Sequence, residues 1–435
     1  MRSRLLWRRS ATAAGLYASV AFGILGTIVA ANSLGLAAFG VFATALATAS
    51  FFQTLLDLTV EESLTKYGFR YVANEDWGRL RRLFRRALEL KLAGGLAAGF
   101  VLVALAPVAD SIFGAEDLRA PFLAAALLPV VQSPENVGAT AMLLRGRYDL
   151  RGAYQAVSMA LRFAAIAVGV QLGVWEAIAL IVVAQAVATV GVSVAGQLAL
   201  NRFPRAPQVA IGSDRREIVL FVLGSSLATA VVSLRTTLTP IILGLVSGTS
   251  AVGLFRVAQA PQTGLAAATG PVRLVLLTEQ TRDWEHGRRG VVMEGVRRYM
   301  LRAAALMAVA VPIFFVAMPW LVDVVFRDPG FAGAVDAARI VLFAGAIHVV
   351  FGWTKSLPTT IGKPRLRVIT HGIEALVLLP LVAVLGSRWG VTGAGVAVLV
   401  SAVAFALAWC VALARIQADL AALGPGARPT SAPAS

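Results

Sequence analysis

The residues with chemistry to offer are charges placed in an apolar solvent. Arg162, Arg235, Arg256, Arg273, Arg339 and Lys355 each fall inside a long apolar run. An ionised side chain there costs at least about 2.5–3.5 kcal/mol and should face the protein interior or a watered cavity. The acids in comparable positions are Asp57, at the end of one run, and Glu135, inside another. A cleft with that balance prefers an anion. Arginine suits phosphate, because its planar fork bonds two oxygens at once and keeps its charge when partly buried. At a rise of about 1.5 Å per helical residue, Arg162 falls near the midplane of its run, with Arg235 and Arg256 toward the outer half. These three could meet on one diphosphate, with Lys355 a further cation of the cleft. Arg256 and Arg339, near the ends of their runs, could equally reach out to headgroups.

The run that holds Glu135 reads Pro129-Val-Val-Gln-Ser-Pro-Glu-Asn-Val-Gly138. Its two prolines remove backbone hydrogen bonds, and such breaks tend to line cavities. Gln132, Glu135 and Asn136 lie on one side of it at helical spacing. Glu135 either carries a proton or cation or pairs with Arg162 to hold the cleft together; the static pair is the simpler reading. Asp57 and Glu61 stand where an opposite charge from Arg273 could close an inner gate, or Asp57 could simply cap a helix end. His348 and His371 lack ligand spacing and read as packing histidines. No P-loop, nucleophile elbow, glycosyl-transfer dyad or metal box occurs, so the sequence points to no hydrolytic chemistry and no cofactor. The one cysteine, Cys410, leaves no disulfide within the chain.

The elements that must position these groups follow from composition. The chain has 435 residues, 58% hydrophobic and 14% charged, with a mean hydropathy of +0.77. A soluble domain carries about 25% charged residues, so this chain belongs in lipid. Apolar segments fall at 10–33, 37–60, 87–109, 120–143, 152–172, 176–198, 217–245, 249–276, 299–326, 334–358, 367–386 and 391–414. Each is long enough for a helix, and none alternates as a barrel strand would. The expectation is an all-α polytopic membrane protein with twelve transmembrane helices. The N-terminal run continues past signal-peptide length and reads as a retained first span. Counting the residues at span edges, 29 basic residues lie in or beside alternate loops and at the two ends, against Arg119, Arg327 and Arg388 in the others. That asymmetry places both termini in the cytoplasm. It also accounts for the +16 net charge without a nucleic-acid partner. The stretch Trp77–Arg86 reads as a basic interfacial helix lying on anionic lipid.

The chain also resembles itself. Ala38-Phe-Gly-Val-Phe42 returns as Ala251-Val-Gly-Leu-Phe255, and Asp110-Ser-Ile-Phe113 returns as Asp323-Val-Val-Phe326, both at an offset of 213. Gly146-Arg-Tyr-Asp-Leu-Arg151 returns as Gly362-Lys-Pro-Arg-Leu-Arg367 at 216, and Gly173-Val-Trp-Glu-Ala177 as Gly390-Val-Thr-Gly-Ala394 at 217. The repeat divides the chain into a six-helix bundle over 1–205, a cytoplasmic linker over 206–216, a second bundle over 217–415 and a disordered tail over 416–435. An even-numbered unit keeps its orientation, so the bundles relate by an axis along the membrane normal. Rocking one against the other around a fixed site is a transporter plan.

With these features in view, Leu34-Gly-Leu-Ala-Ala-Phe-Gly-Val-Phe42, Phe51-Phe-Gln-Thr-Leu-Leu-Asp-Leu58, Leu143-Leu-Arg-Gly-Arg-Tyr148 and Leu234-Arg-Thr-Thr-Leu-Thr-Pro-Ile-Ile-Leu-Gly244 resemble bacterial polysaccharide repeat-unit flippases of the Wzx type. These belong to the multidrug/oligosaccharidyl-lipid/polysaccharide exporter superfamily. The chain departs from the pattern at Thr59, where glycine is common. The resemblance implies a multi-pass protein of the bacterial cytoplasmic membrane. It would carry a polyprenyl-diphosphate-linked oligosaccharide from the inner to the outer leaflet, with Arg235 among its cavity cations. A polysaccharide polymerase and glycosyltransferases are the partners it implies. The main rival is a cation- or proton-coupled multidrug exporter of the same superfamily, for which Glu135 and Asp57 would be the coupling acids.

Overall fold

In the computed structural model, which describes residues 2–212, 214–268, 280–284, 286–363 and 365–422, the described residues form helices and turns without a β-strand. In lipid the backbone must satisfy its own polar groups, and a helix does so locally. In chain order the helices begin with α1 (Arg2–Leu56), α2 (Glu61–Ala73), α3 (Trp77–Leu105), α4 (Ala109–Phe113) and α5 (Arg119–Ala125). They continue with α6 (Leu127–Gln132), α7 (Glu135–Leu144), α8 (Tyr148–Gly169), α9 (Val174–Asn201) and α10 (Asp214–Ala258). The last are α11 (Ala260–Ala268), α12 (Arg289–Val325), α13 (Val335–Val350), α14 (Leu357–Thr360) and α15 (Arg365–Ala422). Among the described residues, 7 helical stretches are long and apolar enough to cross a membrane. This is a multi-pass membrane protein.

Three of the long helices, α1, α10 and α15, each contain one glycine outside helical space. Gly35 has φ 70° and ψ 172°, Gly248 has φ 79° and ψ 173°, and Gly390 has φ 55° and ψ −133°. Each lies between two of the apolar segments expected from the sequence. Gly35 and Gly248 share one backbone conformation and are separated by the 213 residues of the sequence repeat. Gly146 and Gly362, with φ of 68° and 71°, are likewise 216 apart. A side chain at such φ and ψ is strained by roughly 1–3 kcal/mol. Gly35→Ala and Gly248→Ala are therefore each expected to lower stability by about that amount in thermal unfolding of the detergent-solubilised protein. Gly224→Ala, in helical conformation with open space around it, should leave the midpoint unchanged or slightly raised.

Contacts gather the chain into two compact units, Met1–Arg256 with Val322–Gly333, and Val257–Leu321 with Ala334–Ser435. In the first unit the break at Gly35 frees the Leu36 N–H, which donates to Asp328 Oδ2 at 3.0 Å. Asn32 holds the same loop twice, donating to Val325 O at 2.8 Å and accepting from Arg327 N at 2.9 Å. Beyond the bend, Gly40 of α1 lies against the backbone of Thr249, and a Cβ on Gly253 would stand 3.2 Å from Gly40 Cα. The two matching motifs thus cross each other at their glycines, flanked by buried Phe39 and Phe255.

Helix α2 packs Leu64, Tyr67 and Tyr71 against Leu80, Phe84, Ile218 and Val222. Leu64, Leu80 and Phe84 are at most 4% exposed, and burying each contributes about 1.5–3 kcal/mol. The Tyr67 hydroxyl donates to Glu217 at 3.0 Å and that of Tyr71 to Asp214 at 3.0 Å, fastening α2 to the start of α10. Burial and then the Glu217 carboxylate push the Tyr67 phenol up to about 12, so it remains a neutral donor. Trp77–Arg86 is not the separate interfacial helix expected from the sequence. Asp76 caps α3 by accepting from Arg79 N at 3.1 Å, and no proline lies between Arg86 and Leu105. The basic stretch is therefore the first three turns of a helix that runs on into an apolar span.

In the second unit α13 packs on α11 and α15 around Phe351, Trp353, Phe405 and Trp409. Helix α13 ends at Val350 and the chain turns through Gly352–Lys355 before α14. Gly352, tight against the Tyr299 hydroxyl, and Pro358 in the first turn of α14 account for the break. Helix α15 continues to Ala422. Residues 416–422, expected in the tail, are therefore helical, and the remainder of the tail lies outside the described residues. Helix α10 similarly starts at Asp214, inside the expected linker.

Candidate functional site

The proline-containing run breaks as its sequence predicts. Helix α6 stops at Gln132, Ser133 and Pro134 form the interruption, and α7 restarts at Glu135. The restart places the Glu135 carboxylate in the first turn of a helix. It accepts a 2.7 Å hydrogen bond from Gln185 Nε2 on α9, which also donates to Thr189 Oγ1 at 3.1 Å. Gln185 and Thr189 are 5% and 4% exposed. Their spacing of four residues in an otherwise apolar helix is the sequence signal for a buried polar pair.

Arg162, half-buried on α8, senses both the opposite charge of Glu135 and the like charge of Arg256 on α10. Arg162 therefore stands within electrostatic reach of two other expected residues, Glu135 on one side and Arg256 on the other. Arg162 and Glu135 are not in ion-pair contact, so the direct static pair anticipated from the sequence is not formed. Arg256 is exposed. Neither arginine has a hydrogen bond or ion pair with another described residue. Each guanidinium carries five N–H donors in a fixed fork, and two such forks near one another can receive an anion with several oxygens. Arg235 is half-buried on α10, and its carbonyl accepts from Thr239. Lys355, in the second unit, is exposed in the turn after α13. Arg339 is engaged within that unit: Nε donates to Phe315 O at 3.0 Å, the guanidinium lies 4.7 Å from the Phe315 ring, and Asp336 is 3.6 Å away.

A second constellation forms around Lys91, near the start of the third apolar segment, where a lysine could snorkel to the surface. It is instead 2% exposed, with Nζ 2.9 Å from Asp57 Oδ2 and 2.7 Å from Glu61 Oε1. Asn136 Nδ2 donates to that same Glu61 oxygen at 2.7 Å. Asp57 and Glu61, the acids of the expected inner gate, thus converge on a lysine from their own unit; Arg273 lies outside the described residues. Adjacent residues of α7 serve two centres, Glu135 that of Arg162 and Asn136 the Glu61 carboxylate that holds Lys91. Gln132, one turn earlier, is half-buried. The chain that follows Asp57 is held by Ser226, which accepts from Thr59 N at 2.8 Å.

The histidines are not the isolated packing groups expected from the sequence. His348 Nε2 lies 2.9 Å from Glu374 Oε1 and His371 Nδ1 lies 3.0 Å from Glu374 Oε2. Glu374 is an intramembrane acid that sequence reasoning missed beside Asp57 and Glu135, and it is 1% exposed. Its position three residues after His371 is the signal that could have found it. Among the described residues no group of three or more acids, histidines or cysteines has the arrangement of a metal site.

Broken helices, left-handed glycine joints and arginines in apolar spans are the features of this polytopic membrane fold. The fold agrees with solved transporters along almost the whole chain. An inward-closed structure of the lipid II flippase MurJ matches with a TM-score of 0.72 at 10% identity, covering 93% of this chain and 87% of that one. A point mutant of the Vibrio cholerae MATE transporter VcmN matches at 0.64 and 14% identity, covering 96% and 97%. An inward-facing multidrug resistance MATE family transporter of the MOP superfamily matches at 0.63 and 14%, covering 94% of each chain. A comparison with curated proteins finds no match. The architecture is that of the flippases and exporters of the multidrug/oligosaccharidyl-lipid/polysaccharide superfamily. Within it, the chain belongs to the polysaccharide biosynthesis protein family, whose model matches residues 10–269. The resemblance drawn from the sequence motifs therefore holds.

Proposed function

We propose that the protein flips a polyprenyl-diphosphate-linked oligosaccharide from the inner to the outer leaflet of a bacterial cytoplasmic membrane, for assembly of a cell-surface polysaccharide. The observation that carries this reading is Arg162, which lies within electrostatic reach of both Arg256 and Glu135, while the donors of neither arginine meet a protein acceptor among the described residues. A diphosphate supplies the missing acceptors and charge. Arg235 and Lys355 are assigned to the same cationic cleft, Gln132, Glu135 and Asn136 to its polar wall, and Asp57, Glu61 and Arg273 to an inner gate. The glycine joints at repeat offsets support a reading of twelve spans in two six-helix bundles, with both termini cytoplasmic. Alternating access then follows from rocking the bundles about the site. The sugars would lie against polar side chains and the prenyl tail would remain in lipid. Polymerase and glycosyltransferases would consume and supply the substrate.

The test is transfer of a fluorescent polyprenyl-diphosphate oligosaccharide across proteoliposomes, with export of an organic cation measured in parallel. The expected result is flipping by the wild type, reduced in Arg235→Ala, and no cation export. Cation export that is abolished by Glu135→Gln, without lipid flipping, would transfer the protein to the drug exporters.

A further inference from the structure

We propose that Gln155 and Ser158 of α8 form a sugar subsite beside Arg162, reading hydroxyls of the first sugar on the diphosphate; the assignment rests on the flippase reading. At 3.6 residues per turn, Gln155, Ser158 and Arg162 fall on one face of α8, three and four residues apart. The opposite face carries exposed apolar side chains, as a surface toward lipid does: Val157 and Val168 are 53% and 59% exposed. The polar face therefore looks into the protein. Its two flanks are packed. A Cβ on Gly23 of α1 would stand 3.4 Å from the Met159 methyl, and one on Gly191 of α9 would stand 3.6 Å from the Tyr154 ring.

Beyond Arg162 this face is shut, with Ile166 8% exposed against Gly26 of α1 and Gly169 against Ala177 of α9. Before Arg162 it is open, and Gln155 is exposed although it stands on the side turned away from lipid. Ser158 is 7% exposed, and among the described residues neither it nor Gln155 has a hydrogen-bond partner. The buried hydroxyls of Ser19 and Thr140 each donate to the carbonyl four residues earlier, both at 2.8 Å, which is the usual resort of a helical hydroxyl. That of Ser158 is not so spent. Both Gln155 and Ser158 are neutral, and each can donate and accept. Phosphate oxygens accept from the arginine fork, whereas a sugar hydroxyl gives and takes as these two side chains do. A helical side chain leans toward the start of its helix, so the Arg162 guanidinium is carried toward Ser158. The amide of Gln155 follows about 10 Å further along the axis at about 1.5 Å per residue, leaving length for a pyranose ring between it and the phosphates. Arg151, exposed one turn earlier on the same face, ends the neutral stretch with a charge.

The test measures binding to the full-length protein in nanodiscs with two probes, farnesyl diphosphate and the same lipid carrying one glucose on its diphosphate. The wild type is expected to bind the glucosyl probe about tenfold more tightly, the worth of one or two neutral hydrogen bonds. Gln155→Leu combined with Ser158→Ala should abolish that ratio, and Gln155→Asn should keep part of it. Arg162→Ala should weaken both probes. Equal wild-type affinity for the two probes would overturn the subsite, and that comparison needs no variant to fold. A double variant that weakens both probes in equal proportion would overturn it too. So would an affinity for the bare probe that depends on Arg151 and not on Arg162. Flipping is measured separately, in proteoliposomes with the polyprenyl forms of both probes. Preferential binding without flipping would refute the transport reading and leave the sugar subsite intact. Flipping of both lipids with equal affinity would refute the subsite and leave transport intact. Binding of neither probe would overturn both.

Discussion

Alanine at both Arg162 and Arg256 is expected to slow the flipping of a diphosphate-linked lipid by about two to four orders of magnitude. A hydrogen bond to a charged group is worth about 1.5–3 kcal/mol, and each 1.4 kcal/mol is tenfold. Losing one such anchor per arginine therefore gives about tenfold to a hundredfold each. Arg162 lies within reach of the Arg256 charge, so their effects should depart from simple additivity. Lysine at either site should restore attraction without the bidentate fork and recover only part of the rate. The check is the initial rate in proteoliposomes of matched protein content, with substrates carrying one or two phosphates. A mutant that slows both substrates equally would show that the arginines serve the fold rather than the diphosphate.

The largest stability effect is expected at Lys91→Met. Its ammonium lies between Asp57 and Glu61 at 2.9 and 2.7 Å with almost no exposure. Removing one partner of a buried ion pair typically costs about 3–5 kcal/mol, because the remaining charge stays buried without compensation. Here two carboxylates would remain, and Asp57 Oδ1 and Glu61 Oε2 already lack hydrogen-bond partners among the described residues. Neutralising the set with Lys91→Met, Asp57→Asn and Glu61→Gln should recover much of the loss. Denaturant unfolding in detergent micelles would compare the two variants. A triple variant no more stable than Lys91→Met alone would show that the packing of the lysine stem, not its charge, holds the site.

Much of the architecture is legible in the sequence because its signals are local. Apolar runs of about twenty residues report a span, the Pro129–Pro134 segment reports an interruption, and recurring glycines report where long helices bend. The cationic character of the site is legible for the same reason, since arginine in an apolar run needs no partner to be conspicuous. Partnership is not legible. Lys91 meets Asp57 across 34 residues and Gln185 meets Glu135 across 50. A helix that is apolar all round carries no polar stripe to say which face meets which neighbour. His348 and His371 look solitary in the sequence because the group joining them, Glu374, sits on a different helix from the first. The stretch Trp77–Arg86 misleads for another reason. Composition marks a surface for lipid headgroups but does not say where a helix ends, and no proline follows Arg86 until Pro107.

The crossing of Gly40 and Gly253 has a consequence for the history of the chain. Each glycine belongs to one copy of the same short motif, and each receives from the other the surface it offers. Such a contact is isologous, the kind by which two identical molecules associate about a two-fold axis. It needs no feature that one copy possesses and the other lacks. On the proposed reading of two repeated bundles, a half-length unit carrying this motif once would close the same joint with a second copy of itself, and fusion would make the two partners permanent.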